Sequence, residues 1–411
     1  LTTMKYRYIS LLFVLMLMAS ECKKESPSGL KEPAQLNLPA KASEVITHSN
    51  GFGVDLFRTV AVTEDQNMMV SPLSASVALT MLLNGCKNVT YDQIQQMLGF
   101  GGQTLEEIND TYRSLVEQLL NIDPEVKLAL ANAVFYYSGK IGIHQSYLDA
   151  MENVFDAHIE GLDFTSPSAL DVINGWAKDN TYGKIDKVID QKDPYMVMFL
   201  MNALYFKGTW TDQFDKNQTA PGTFHLDDGS TTQVEMMHGE INAWTCSETD
   251  FSAIEMPYGR KNFSMIVIVP AGTLSEFVTE FDSVKYSHIT AMLGQPEESQ
   301  EYIVTMPKYT FKYEKQLNDQ LKALGMTDAF DTYLADLTGI GGPDLYVDFV
   351  KQNTFVDVNE EGTEAAAVTT IGIGNTACPT EFKVDKPFIF AIRERTTNAL
   401  LFIGKVEVPE D

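Results

Sequence analysis

Gly362-Thr-Glu-Ala-Ala-Ala-Val-Thr-Thr-Ile-Gly-Ile-Gly-Asn-Thr-Ala-Cys-Pro379 has the chemistry of a strand and the position of a loop. From Ala365 to Thr380 it carries no charge and no aromatic ring. Its side chains are small or β-branched, which suits a pleated, half-buried surface. Thr363, Ala365, Ala367, Thr369, Ile371 and Ile373 alternate, so a strand here would put them on one face. No proline falls between Gly362 and Ala377, so nothing bars this run from the middle of a sheet. Yet the stretch separates two segments that read as strands themselves, Thr354–Val358 and Phe382–Ile392. A loop of this length inside a domain is uncommon and usually functional.

Bulk properties narrow the setting. The chain has 411 residues, 44% hydrophobic and 21% charged, enough for a large core. A net charge of −26 should repel nucleic acid and anionic membranes, so neither is expected as a partner. Its simplest reading is solubility. Cys22, Cys86, Cys246 and Cys378 are too few and too scattered for a disulfide framework or a zinc site. Cys86 and Cys246 read as buried structural thiols, and Cys378 as an incidental exposed residue. The six histidines show no metal-ligand spacing, so no metal or other cofactor is expected. Gly372-Ile-Gly374 is half of a nucleotide-binding pattern with no helix after it, and is rejected as such. Trp176 and Trp210 read as packed residues rather than ligand platforms. No nucleophile–base–orienter set is assembled by any motif, so the chain is not read as an enzyme.

Met4-Lys-Tyr-Arg7 followed by Ile9–Ala19 is a short positive region and an apolar run too short to span a bilayer. Residues 1–21 therefore read as a signal peptide. Met18-Ala-Ser-Glu-Cys22 resembles a bacterial lipoprotein signal, in which Cys22 becomes the lipidated first residue. Glu21 departs from the small residue usual before that cysteine, and ordinary secretion is the alternative. A lipid on Cys22 would tether the chain to a membrane without making it span one. The expected location is the cell envelope (periplasm, outer membrane or surface) or the exterior. Residues 22–41, with Pro27, Pro33 and Pro39, read as an extended tether, and 42–411 as one domain.

Within that domain Val45, Ser49, Phe52, Leu56 and Val60 recur at helical spacing. Met68–Ser74 reads as a short strand running into a helix, Ser74–Asn84, with Pro72 near its start. Thr90-Tyr-Asp-Gln93 and Thr104-Leu-Glu-Glu107 both fit a capping box. Val126–Tyr137 and Met196–Phe206 read as buried strands, and His144–Phe155 and Leu170–Asn180 as helices. Strand-like runs then recur at Thr231–Met237, Phe251–Met256, Phe263–Val269, Tyr302–Met306, Leu345–Val350 and Leu400–Val406. Helical segments at Leu274–Val284 and Glu314–Leu324 interrupt them. No internal repeat divides the body, so the reading is α+β in one large domain.

Several stretches in this order resemble the serpin family. They are Val70-Ser-Pro-Leu-Ser74, Ile173-Asn-Gly-Trp-Ala177, Thr181-Tyr-Gly-Lys-Ile185 and Asn202-Ala-Leu-Tyr-Phe-Lys-Gly-Thr-Trp210. Leu324-Gly-Met-Thr-Asp-Ala-Phe330, Val358-Asn-Glu-Glu-Gly-Thr-Glu-Ala-Ala-Ala367 and Phe382-Lys-Val-Asp-Lys-Pro-Phe-Ile-Phe390 follow. The resemblance covers about Ser43 to Val408. It implies three β-sheets, eight or nine helices and an exposed reactive loop near the C-terminus. It implies that Gly362, Thr363, Glu364, Ala365, Ala366 and Ala367 form the loop hinge, and that the scissile bond is Thr376–Ala377. Ser71, Ser74 and Asn202 match a polar cluster beneath the central sheet, and Trp210 the tryptophan where the loop first inserts. Gln352 stands where many members have a histidine in that cluster, and Asn353 where a lysine is usual. An amide still bridges polar neighbours but does not titrate.

The resemblance further implies a suicide substrate. A serine protease attacking Thr376 forms an acyl-enzyme, and Gly362–Thr376 then enters the central sheet as a strand. Fourteen steps would carry the protease roughly 46 Å. A charged residue on the inward face would oppose burial, and Thr363 is the only polar one at the start. Lys, Arg and aromatic residues are missing around the bond, so the expected partner is an elastase-like or subtilisin-like protease with a small apolar pocket. It would be held covalently by a monomeric inhibitor. A non-inhibitory serpin acting as carrier or surface binder is the alternative.

Overall fold

The computed structural model describes residues 33–189, 197–294, 298–363 and 380–410, all in the unit Pro33–Asp411. Cys22, Glu364–Ala367, Thr376, Ala377 and Cys378 lie outside the described residues, as does the whole of 1–21.

The first helix, α1 (Ala42–Ala61), buries Val45, Phe52, Leu56 and Val60, the periodic set seen in the sequence. It is followed by β1 (Met68–Val70), α2 (Pro72–Leu83), α3 (Asn88–Met97), α4 (Leu105–Leu119), β2 (Val126–Tyr137) and α5 (Gln145–Phe155). Then come β3 (Ala157–Leu162), α6 (Ser168–Asn180), β4 (Met198–Thr209), β5 (Ala220–His225), β6 (Thr231–Ser247), β7 (Phe251–Tyr258) and β8 (Phe263–Pro270). The last elements are α7 (Leu274–Glu280), α8 (Ser283–Leu293), β9 (Gln300–Pro307), β10 (Tyr309–Gln316) and α9 (Asn318–Ala323). They continue with β11 (Lys351–Asn359), β12 (Gly362–Thr363), β13 (Thr380–Lys383), β14 (Phe388–Glu394) and β15 (Leu400–Val406).

Three hydrogen-bonded sheets result, two of them sharing the long strand β6. Its Met236–Ala243 part pairs with β9, and its Trp244–Ser247 part pairs with β7. The third sheet runs in the order β10-β11-β12-β4-β2-β3. The strands β8, β14 and β15 are buried along their whole length, and α1 packs over their sheet. Inside that core Glu255 is fully buried, accepting from Arg393 at 2.8 and 2.9 Å and from Ser264 at 2.6 Å. Burial opposes its ionisation, but the Arg393 and Arg395 guanidinium groups outweigh that and hold its carboxyl below the usual range. Such a pair tolerates no single removal, because the partner would remain as a buried charge.

Local sequence signals set several boundaries. Ser71 caps α2 with its hydroxyl accepting from the Ser74 N–H, so the helix starts at Pro72, ahead of the Ser74 start expected. The Thr104–Glu107 capping box forms in full. The Thr90 one does not: α3 already begins at Asn88, and the buried Thr90 hydroxyl accepts from the Asp336 N–H at 2.9 Å. Leu274–Val284 is two helices, because Asp282 caps a second one by accepting from Lys285 N–H. Glu314 belongs to β10, whose Tyr309, Phe311 and Tyr313 alternate inward, so the helix is only Asn318–Ala323. Leu345–Val350 is irregular rather than a strand. Phe382–Ile392 is broken by a connection through Pro387 into β13, which pairs with β9, and β14, which pairs with β8 and β15. Cys86 is buried and Cys246 half-buried, with burial pushing the Cys246 thiol up to about 11, so it is poorly nucleophilic.

Candidate functional site

The first two residues of the loop expected from the sequence lie in the sheet. Gly362 and Thr363 form β12, wedged between β11 and β4: Val358 pairs with Thr363 and Thr363 with Gly208, while Asn359 pairs with Gly362 and Gly362 with Thr209. Beyond these two residues no ladder joins β11 to β4 among the described residues. The line between β11 and β4 is thus a slot that the described residues close at the Thr209 end.

The zipped end is tightly made. Gly362 has φ +147°, and a Cβ there would lie 2.0 Å from the Gly208 carbonyl oxygen, so only glycine fits. The Thr363 side chain is buried and shares a 2.7 Å hydrogen bond with the Tyr258 hydroxyl. Tyr258 stacks on Trp210 with ring centroids 4.2 Å apart and 11° between planes. Trp210 in turn donates from Nε1 to the Asn359 carbonyl at 3.0 Å and from its backbone to Glu361. The turn before Gly362 is held by its own buried carboxylates. Glu360 accepts from the Thr219 hydroxyl at 2.7 Å and faces Lys308 at 3.5 Å, and Glu361 is paired with Lys216. Burial disfavours the Glu360 anion, but the Thr219 hydrogen bond and the Lys308 charge hold its carboxyl below the ordinary range.

The other end of the slot is open. A cavity of about 230 Å³ lies there, lined among others by Ser74, Ala78 and Leu82 of α2, Ala177 of α6, Asn202 and Gln352. Gln352 forms a two-way clamp with Ser71: Ser71 N–H donates to Oε1 at 2.8 Å, and Nε2 donates to the Ser71 carbonyl at 3.0 Å. The Ser71 hydroxyl donates to the Leu401 carbonyl at 2.8 Å, tying β11 through α2 to β15. Because the clamp is an amide on backbone groups, no pH dependence of sheet opening is expected from this position.

Of the polar cluster expected from sequence, Ser71, Ser74 and Gln352 come together. Asn202 lines the same cavity but bonds elsewhere, donating at 2.6 Å to Asn132 Oδ1 on β2, while Asn132 donates to the Phe155 carbonyl. The Asn202 Oδ1 is buried and has no partner among the described residues, an uncommon condition. Asn132, Tyr258 and the Glu360–Lys308 pair were not foreseen. Tyr258 sits in a generic strand, and no local pattern announces a partner 105 residues away. Trp176, partly buried, packs edge-on against Phe135 at the margin of a small apolar cluster. Among the described residues no cluster suits a metal ion, and no helix is long and apolar enough to cross a membrane.

Comparison with known proteins bears on this arrangement. The family model described as Serpin (serine protease inhibitor) matches residues 47–409. Iripin-5 of Ixodes ricinus is 34% identical over 377 residues, covering 89% of this chain and 94% of its own. The native state of Tengpin, a thermophilic serpin, superposes with TM-score 0.81 at 29% identity, covering 92% of this chain and 97% of that one. Human thyroxine-binding globulin, solved with its ligand, gives TM-score 0.82 at 26% identity, covering 90% and 100%. The motifs, the three-sheet fold and these matches agree, and the chain belongs to the serpin family.

Proposed function

We propose that this serpin is an irreversible inhibitor of serine proteases, trapping its target as an acyl-enzyme after cleavage near Thr376–Ala377. The observation that carries the reading is the slot, with two hinge residues already paired inside it. The register of those two pairs can be extended by sequence arithmetic into a cleaved, inserted state. Ala365 would then face Val356 and Phe206, Ala367 would face Thr354 and Leu204, and Thr369 would face Gln352 and Asn202. Val356, Thr354 and Gln352 are all buried members of an alternating strand, so the incoming partners need to be small and uncharged. The one alcohol among them, Thr369, would arrive beside the unpartnered Asn202 oxygen.

The loop lacks charged and aromatic residues near the bond, which favours an elastase-like or subtilisin-like target. The neighbour that binds thyroxine keeps a carrier role as the second reading. A panel of proteases separates them, scored for a denaturant-stable complex and for the mass of the released peptide. A complex with a peptide beginning at Ala377 is expected. Cleavage without any complex would make the chain a substrate and remove the inhibitor reading. At the N-terminus we place the lipid on Cys22, which predicts loss of membrane partitioning in Cys22→Ser.

A further inference from the structure

Residues 33–41, expected as part of an extended tether, lie against the body. Asn262 accepts from Ala34 N–H at 2.9 Å and donates to the Ala34 carbonyl at 2.8 Å. Gln118 holds the N–H and carbonyl of Asn37 in the same way, each at 2.8 Å. Each amide meets both polar groups of one residue, as a neighbouring strand would. Leu36 and Leu38 pack on the core.

Both grips sit at the closed end of the slot. Asn262 belongs to the turn between β7 and β8. In that turn the Gly259 N–H donates to the Thr209 carbonyl at 2.8 Å, and the Gly259 carbonyl accepts from the Thr211 hydroxyl at 2.9 Å. Gln118 is in the last turn of α4, which leads to β2, and Val126 of β2 pairs with Gly208. The described ends of the loop are on this side as well. Thr363 pairs with Gly208, and β9, which carries β13 and so Thr380, leads into Lys308, 3.5 Å from Glu360. From this end α1 runs away. Its 20 residues cover about 30 Å, and just past it Glu64 meets Lys315 at 2.6 Å. Lys315 pairs with Gln352 at the open end.

Cys22 stands 10 residues ahead of Pro33. Fully extended, that stretch reaches roughly 40 Å. A lipid on Cys22 would therefore hold the closed end of the slot near the bilayer. The net charge of −26 keeps the body off an anionic surface and leaves the open end farther out. We propose that the anchored inhibitor stands with its loop end toward the membrane, so that it meets proteases working at that surface and carries a trapped one to the outward side. The displacement of roughly 46 Å runs from the closed end to the open end, away from the anchor.

The orientation rests on the Cys22 lipid, and the partner also on the inhibitor reading. The test separates them. A donor dye is placed at Gln218→Cys, beside Thr219 at the closed end, or at Asp319→Cys in α9, whose Asn318 accepts from the Val350 N–H at 2.9 Å. Cys246 and Cys378 are replaced by serine. The lipidated full chain is bound to phosphatidylcholine vesicles with an acceptor dye on the headgroups and no protease present. Energy transfer from Gln218→Cys should exceed that from Asp319→Cys at least about twofold, for ends about 30 Å apart. Equal or reversed transfer would overturn the orientation. A chain that does not partition would overturn the anchor and the orientation together. For the partner, an elastase-type protease is tethered to the same vesicles. The Cys22 anchor should form the stable complex several-fold faster than Cys22→Ser carrying its lipid on Asp319→Cys. Equal rates would remove the preference for surface proteases. No complex from either, on vesicles or in solution, would sink the inhibitor reading and this partner with it, while the orientation still stands or falls on the energy transfer.

Discussion

The two ends of the slot are built in opposite ways. At the Gly208–Thr209 end, Gly362 and Thr363 are locked by ladder pairing, a shared hydroxyl bond and stacked rings. At the Asn202–Gln352 end there is a cavity, one clamp that does not cross the slot, and an acceptor with no partner. Packed interiors rarely leave such voids, and a void loses the dispersion contacts its lining would make. The difference teaches a direction. On the proposed mechanism a strand would be added from the closed end, where the register is already set, toward the open end, where the missing contacts would be made. With the deficit stored at the far end, such an insertion would be favourable only when the whole run arrives.

The comparison can be broken at the closed end with the largest effect. Gly362→Ala puts a Cβ into the Gly208 carbonyl and should weaken the uncut fold by roughly 2–4 kcal/mol, read by denaturant unfolding. Tyr258→Phe should cost about 1–2 kcal/mol, because the Thr363 hydroxyl loses its buried partner. Paired with Thr363→Val, a double-mutant cycle should show a coupling well above zero, and additivity would mean the bond is not made. At the open end the sign reverses. Ala78→Val, which fills part of the cavity, should stabilise the uncut chain by about 1 kcal/mol and slow insertion. Acid supplies the smallest effect. Glu360 has its folded-state carboxyl below the ordinary 4.5, so its stabilisation is present above that value and fades as pH falls through its folded pKa. The closed end should therefore loosen in acid, while Glu360→Gln flattens that part of the profile.

Much of this frame was legible in the sequence because it is local. The Val70–Ser74 start of α2, the run of β2 and the whole of β15 follow from propensity, capping and apolar length. What the sequence hid is long-range pairing. Tyr258 and Thr363, or Gln118 and Asn37, meet only through the fold, and nothing in their neighbours encodes it. Glu314 falls in the segment expected as a helix, although the inward Tyr309, Phe311 and Tyr313 carry the strand period. Leu345–Val350 has strand composition but no ladder partner there, and composition alone does not make a ladder.

The central claim is that the slot accepts the loop as a strand once the loop is cut. Nick the loop with a protease that is not trapped, and compare the melting of cut and uncut chain. The account predicts a melting temperature raised by tens of degrees, since insertion adds a full ladder and fills the cavity. A cut chain that melts where the uncut one does would contradict it.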